Sequence, residues 1–176
     1  MFNAKRPVLV IGSGVRLAGA MEHAIAFAEA SGIPVAPTWG ALDIMPHDHP
    51  LFIGSFGTHG TRYGNFSVQN SDLIISVGSR LDSKSTGTPP SSFARGARIV
   101  MVDVDQTEID KFQHMGLKVE GVYEDAKAFF TRTLPGLKRE DYSAWLARIA
   151  DWKRRYPICP PEYEQEEGVN PYVLVK

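Results

Sequence analysis

One cysteine, Cys159, is all the thiol chemistry this chain of 176 residues carries. No disulfide can close within it, and nothing points to an oxidising compartment. Cys159 sits in Pro157-Ile158-Cys159-Pro160-Pro161, an irregular context unsuited to a catalytic nucleophile. An excess of charge is missing too: 19 Lys and Arg stand against 20 Asp and Glu, a net −1. That removes any electrostatic case for nucleic acid or an anionic membrane surface. No apolar run reaches the roughly eighteen residues of a membrane span. Met1-Phe2-Asn3-Ala4-Lys5-Arg6 leads into no apolar leader with a cleavage site, so a cytoplasmic setting is expected. Internal repeats and low-complexity segments are lacking as well. What remains, 43% hydrophobic and 22% charged residues, is the balance of an ordinary globular domain with a sizeable core.

The stretch that organises the chain is Pro7-Val8-Leu9-Val10-Ile11-Gly12-Ser13-Gly14-Val15. An apolar run of strand length breaks at two glycines and restarts with helical spacing, which predicts a strand, a tight turn and a helix reaching Ser31 before Gly32. Leu17, Met21, Ala24, Ile25 and Ala28 form the predicted inner face of that helix. Such a turn lets backbone approach a ligand, and the following helix presents free N–H groups to a phosphate. The dinucleotide fingerprint is nevertheless incomplete. Leu17 stands at its third glycine position, Gly19 comes two residues late, and Ile33-Pro34-Val35-Ala36 leads into Pro37-Thr38-Trp39 without a ribose-binding acid. An ordinary NAD site is therefore disfavoured.

Residues 37–50 read as loop. His47 and His49 lack the partners of a metal site and suit a surface turn. Leu51 to Ile53 is a short apolar run before a second glycine turn, Gly57-Thr58-His59-Gly60. Helix is predicted over Thr61–Asn70 and strand over Asp72–Gly78, apolar as a strand covered on both faces would be. The loop Ser79 to Gly87 follows, with Arg80 and Lys84 suited to phosphate and Asp82 to fixing Arg80 or a hydroxyl; a plain solvated loop is the alternative. Arg98–Asp105 reads as strand. Asp105 is placed to cap the next helix, with Glu108 completing a capping box, while Asp103 stays open between ribose binding and other roles. A short strand is expected over Leu117–Val122 and a helix over Glu124–Leu134, with Ala126, Phe129 and Phe130 inward. Pro135-Gly136 marks a domain edge. Residues 140–156 form an amphipathic helix whose stripe of Tyr142, Trp145, Leu146, Ile149 and Trp152 docks on its own domain or on a partner. The acidic, proline-rich tail ends at Tyr172-Val173-Leu174-Val175-Lys176, which reads as an element cut off, so a longer protein is expected.

In their order, Gly12-Ser13-Gly14, Ile33-Pro34-Val35 with Thr38, Asp48-His49-Pro50-Leu51-Phe52-Ile53-Gly54, Gly57-Thr58-His59-Gly60, Asp72 to Asp82, Thr86-Gly87 and Val102-Asp103-Val104-Asp105 with Glu108-Ile109 form a set. That set resembles the central domain of thiamine diphosphate-dependent enzymes, and within them the catalytic subunit of acetolactate synthase. The resemblance runs from about Pro7 to Leu134, and the tail is similar to the linker into the third domain. It implies a Rossmann-like parallel six-stranded sheet with helices on both faces, a three-layer α/β/α domain over residues 1–135. Residues 136–176 would be a linker helix and the start of the next domain. It implies a full-length enzyme that decarboxylates a small 2-keto acid and transfers the aldehyde unit, with thiamine diphosphate and Mg2+ held by the missing first and third domains. No catalytic and no metal-binding residue falls on this chain. A homodimer or homotetramer is implied.

FAD is the ligand such central domains carry in acetolactate synthase, ADP in oxalyl-CoA decarboxylase, and some are empty. Carried over, flavin contacts would come from Gly12, Ser13 and Gly14; Thr38, Trp39 and Gly40; Gly57, Thr58 and His59; Gly78, Ser79, Arg80 and Asp82; and Asp103 and Val104. Arg80 would meet the pyrophosphate and Asp103 the ribose. The pattern departs at Trp39-Gly40 for Leu-Met, at Thr58 for Met, at Asp82-Ser83-Lys84 for Asp-Asp-Arg, and at Glu124-Asp125 for Gly-Asp, where Glu124 adds charge beside a diphosphate. The alternatives are a free-standing nucleotide-binding regulatory module and the central domain of an ADP-binding acyl-CoA decarboxylase relative. Because the thiamine chemistry lies elsewhere, the isolated chain is expected to release no CO2 from pyruvate; turnover by the purified chain would overturn that reading.

Overall fold

The computed structural model describes residues 4–174; the first three residues of the leader reading and the Val175-Lys176 end of the tail lie outside them. The apolar runs form a parallel sheet of five strands: β1 (Pro7–Ile11), β2 (Val35–Pro37), β3 (Leu73–Val77), β4 (Arg98–Asp103) and β5 (Glu120–Tyr123), in the order β2-β1-β3-β4-β5. Leu9 pairs with Val35 on one side and Ile75 on the other, and Ile75 pairs with Val100. Every residue of β1 and β3 is buried, as expected for central parallel strands covered on both faces. The edge strand β5 is mostly exposed and begins at Glu120. Leu117, expected at its start, is buried but lies in the preceding loop.

The sheet has five strands among the described residues, against the six that the resemblance implies, and the apolar run Leu51–Ile53 makes one parallel bridge, between Val35 and Phe52. Val35 N–H donates to Leu51 O (2.7 Å) and Ile53 N–H to Val35 O (3.0 Å). The segment cannot extend. Pro50 offers no N–H before it, and Gly54 turns away after it with φ +81°, where a Cβ would lie 2.5 Å from Thr61 Oγ1.

The first predicted helix is two helices, α1 (Ser13–Leu17) and α2 (Met21–Ser31). Gly19 explains the break. It adopts φ +61°, with Ala20 N–H bonded to Val15 O and Gly19 N–H to Arg16 O. That is the Schellman arrangement, which needs a left-handed residue after the helix. The glycine that came too late for a dinucleotide fingerprint is thus a helix stop. In consequence Leu17 is 85% exposed and Met21 also faces out, while Ala24, Phe27 and Ala28 bury.

The remaining helices are α3 (Arg62–Gln69), α4 (Ser83–Thr86), α5 (Gln106–Asp110), α6 (Ala126–Thr133), α7 (Ser143–Arg155) and α8 (Pro171–Leu174). Their caps are legible: Thr61 accepts from Gly64 N–H, Asp105 from Thr107 N–H, and Asp125 from Lys127 and Ala128 N–H. Two helix groups form. Phe27 of α2 meets Phe129 and Phe130 of α6 at ring separations of 6.1 and 5.3 Å. Phe66 of α3 meets Trp152 of α7 at 5.7 Å. Of the two partners considered for the amphipathic stripe, α7 takes its own domain. Tyr142, Trp145 and Ile149 are buried, Trp145 Nε1 donates to Pro7 O at 3.1 Å, and Lys153 Nζ donates to Phe52 O. No helix among the described residues is long and apolar enough to cross a membrane.

Trp145→Ala is expected to destabilise the domain by about 3–5 kcal/mol through a cavity beside β1. Trp145→Phe, which chiefly removes the bond to Pro7, should cost about 1–2 kcal/mol; urea unfolding of both variants checks the order.

Candidate functional site

In a parallel sheet of this strand order, ligands bind beyond the carboxyl ends of the strands where the direction of winding reverses, here between β1 and β3. The glycines predicted at those ends meet one another. Gly12 N–H donates to Val77 O, Gly14 N–H to Gly78 O and Gly78 N–H to Val102 O, each at 3.0 Å. A Cβ on Gly12 would stand 2.2 Å from Gly78 O, one on Gly14 2.7 Å from Gly78 Cα, and one on Gly78 2.7 Å from Val15 N. Gly78 also has φ +60°. The loops after β1 and β3 are therefore in backbone contact, and glycine is required for that contact whether or not a ligand is bound. The expectation that these turns offer their N–H groups to a ligand is corrected for Gly12 and Gly14, whose donors are spent inside the fold. The N–H and hydroxyl of Ser13 make no hydrogen bond among the described residues.

Two clefts flank this junction. The first, about 250 Å³, is lined by Gly12, Ser13, Thr38, Trp39, Thr58 and His59 on one side and the Gly78–Asp82 loop on the other. The second, about 320 Å³, is lined by Ser13, Gly14, Gly78, Arg80, Asp103 and Val104, with Glu124 and Asp125. Ser13, Gly78 and Arg80 line both. Every residue carried over as a flavin contact thus lines one of the clefts except Gly57. Gly57 (φ +96°) sits behind the first cleft, where a Cβ would meet Lys84 O at 2.3 Å, and it exchanges two hydrogen bonds with the Asn65 side chain. Thr58 is tied to the same carbonyl, its N–H 2.8 Å from Lys84 O. Trp39 stacks on His59 at 4.7 Å with planes 24° apart, giving the first cleft an aromatic wall.

The charged groups pair differently from expectation. Asp82 does not fix Arg80: it caps α4, accepting from Ser85 N–H at 3.0 Å. Arg80 instead donates from Nε to Glu108 Oε1 at 2.8 Å. The capping box at Asp105 is correspondingly half built, because Asp105 N–H goes to Asp103 Oδ1 at 3.0 Å and Glu108 turns to Arg80. Burial pushes the Glu108 carboxyl up, but hydrogen bonds from Arg80 and Lys111 outweigh it and hold it below its ordinary value. The hydrogen bond and charge of Glu108 in turn raise Arg80, so the guanidinium stays charged. Glu124, expected to burden the second cleft with a free negative charge, is held in a two-point pair with Arg132 at 3.0 and 2.6 Å. That hydrogen bonding lowers its carboxyl. Asp103 uses one oxygen on Asp105 and lines the second cleft.

Leu81 was not legible as a site residue. It has φ +44° and is buried, lining the first cleft. This strained left-handed turn sends Leu81 inward and its neighbour Arg80 outward. Glu108 and Lys111 were missed in this role as well; the only hint was an acid three residues after a capping Asp, which fits a cap equally. His47 stacks on Phe52 and His49 reaches Glu29. Among the described residues no group of three His, Cys, Asp or Glu side chains is placed to hold a metal ion.

A parallel sheet wound in this order, with a glycine-laced crevice at its reversal point, defines a Rossmann-like α/β domain. The profile of "Thiamine pyrophosphate enzyme, central domain" matches residues 1–132, and the chain belongs to that family. It is 40% identical over 170 residues to the acetolactate synthase large subunit of Corynebacterium glutamicum, covering 94% of this chain and 26% of that protein. The large subunit of Escherichia coli acetolactate synthase isozyme 1 is 34% identical over 157 residues, covering 89% of this chain and 27% of its own. A probable acetolactate synthase large subunit of Methanocaldococcus jannaschii is 34% identical over 151 residues, 86% of this chain and 25% of its own. The chain spans about a quarter of the length of these curated relatives.

Because three backbones converge at Gly78, Gly78→Ala is expected to destabilise the fold by at least about 3 kcal/mol, whereas Gly136→Ala, with open space around it and no left-handed backbone, should cost clearly less. Parallel urea titrations read the difference.

Proposed function

We propose that this chain is the central domain, residues 1–135 with a linker over 136–176, of a thiamine diphosphate-dependent enzyme of the acetolactate synthase type. The whole protein would decarboxylate a small 2-keto acid and join the resulting unit to an acceptor. Thiamine diphosphate and Mg2+ supply the carbanion chemistry in domains outside this chain, which contributes scaffold and a nucleotide site. A cytoplasmic homodimer or homotetramer is the corresponding assembly. The Phe52 bridge stands where a sixth strand would lie, and the α2–α6 and α3–α7 groups are read as the two outer layers of a three-layer domain.

The observation that carries the nucleotide reading is the pair of clefts meeting at Ser13, Gly78 and Arg80. A dinucleotide needs two separate ring sites and a cationic, small-residue passage between them. Arg80 and the Ser13 donors suit the pyrophosphate, and the Asp103 carboxylate suits a ribose hydroxyl. The pairing of Glu124 with Arg132 removes the charge that would oppose a diphosphate. Thr38, Trp39, Thr58 and His59 would face the flavin end, and FAD is the ligand proposed. Trp39, which stands where the family pattern has Leu and stacks on His59, favours a second reading in which an adenine nucleotide binds without flavin, as in an acyl-CoA decarboxylase relative.

The full-length protein, purified without added flavin and then denatured, is expected to release FAD identified by absorbance and mass. Arg80→Ala should retain about a tenth as much, because it removes a charge-assisted hydrogen bond to the pyrophosphate. Release of an adenine nucleotide alone selects the second reading, and release of neither, with none taken up on addition, rejects a nucleotide site.

A further inference from the structure

Arg80 is 76% exposed in its side chain, yet its partner Glu108 is only 14% exposed. An arginine that far out in water would sample many rotamers. Here it is held from behind. One oxygen of Glu108, Oε1, receives Nε at 2.8 Å and lies 2.6 Å from Nη2. The other, Oε2, is taken by Lys111 Nζ. The same Nζ donates to the Arg80 carbonyl at 2.7 Å. Side chain and backbone of Arg80 are therefore fastened to one largely buried carboxylate–ammonium pair on the far side of the loop, at the segment following β4.

Arginine carries five N–H donors in a planar fork. Glu108 occupies the side of the fork that includes Nε. The end of the fork, Nη1 and the outer hydrogen of Nη2, stays available, and Arg80 lines both clefts. Arg80, Lys111 and Glu108 carry one net positive charge between them, and the neighbouring Asp82 and Asp105 carboxylates are engaged by backbone N–H groups at the starts of α4 and α5. We propose that Glu108 is a positioning residue for phosphate binding: it aims the free end of Arg80 across the passage between the two clefts, with Lys111 fixing the carboxylate and the loop backbone. Glu108 acts through Arg80 and does not touch the ligand. The inference rests on the nucleotide reading above and deepens it by assigning the residues that preorganise the pyrophosphate contact.

The test is a double-mutant cycle in the full-length protein stripped of bound nucleotide, titrated separately with FAD and with ADP. Glu108→Gln is expected to weaken binding of the nucleotide that the wild type takes by about tenfold, the scale of one charge-assisted hydrogen bond when its donor is misaimed. Arg80→Met should weaken it at least as much. Glu108→Gln in the Arg80→Met background should then change affinity less than about twofold, because the arm it aims is gone. Lys111→Met is a second probe that leaves Glu108 in place; several-fold weakening, again absent in the Arg80→Met background, is expected. Melting curves without ligand separate loss of fold from loss of aim. Equal or tighter binding by Glu108→Gln would make Glu108 a competitor for Arg80 and overturn the proposal, as would full additivity with Arg80→Met. If the wild type binds neither nucleotide, the nucleotide reading itself falls and this role with it. Binding by the wild type with an unaffected Glu108→Gln variant leaves that reading standing and removes only the positioning role.

Discussion

The contact on which this domain depends is backbone against backbone, where the loops leaving β1 and β3 cross at Gly12, Gly14 and Gly78. Three hydrogen bonds lace these loops to each other and to the end of β4, at separations that leave no room for a side chain. Close approach here lets the central strands pack in register to their ends. It also leaves an open passage beside the crossing, because glycines fill no space. The structural need for glycine and the suitability of the place for a ligand thus have one origin, the absence of side chains.

Around that crossing the charges are neutralised in local pairs. Glu108 serves Arg80 and Lys111, Glu124 serves Arg132, and Asp82, Asp105 and Asp125 cap helices. An exposed pair such as Glu124 with Arg132 adds little stability. The larger effect of these pairs is on geometry and local potential: they decide which charges remain to meet a ligand. What is left on the clefts is the end of the Arg80 fork, the Lys84 side chain, the Ser13 donors and Asp103. A near-neutral chain can in this way present one small cationic passage without a basic surface.

The far side of the domain is closed by α7. Its aromatic stripe covers the start of β1 and meets α3, and the Trp145 indole donates to a strand carbonyl. An indole needs a polar partner when buried, so this bond sets the rotation of the helix as well as its contact. The segment that carries α7 is by this means part of the same hydrophobic core, on the side away from the clefts.

Much of this was written into the residues in local form. Period and apolar continuity placed β1, β3 and β4, the cap at Asp105 placed the start of α5, and glycines at strand ends placed the candidate site. These are short-range signals, set by backbone sterics and nearest neighbours. The tertiary structure alone decided the rest. Gly19 stops a helix because a Schellman turn there lets α2 lie on the sheet. Phe52 makes one bridge because Pro50 and Gly54 bound it. Arg80 belongs to Glu108, 28 residues away in sequence, instead of to neighbouring Asp82, because Leu81 adopts a left-handed turn between them. Choice of partner among several equivalent carboxylates is a matter of distance across the fold, and spacing along the chain carries no information about it.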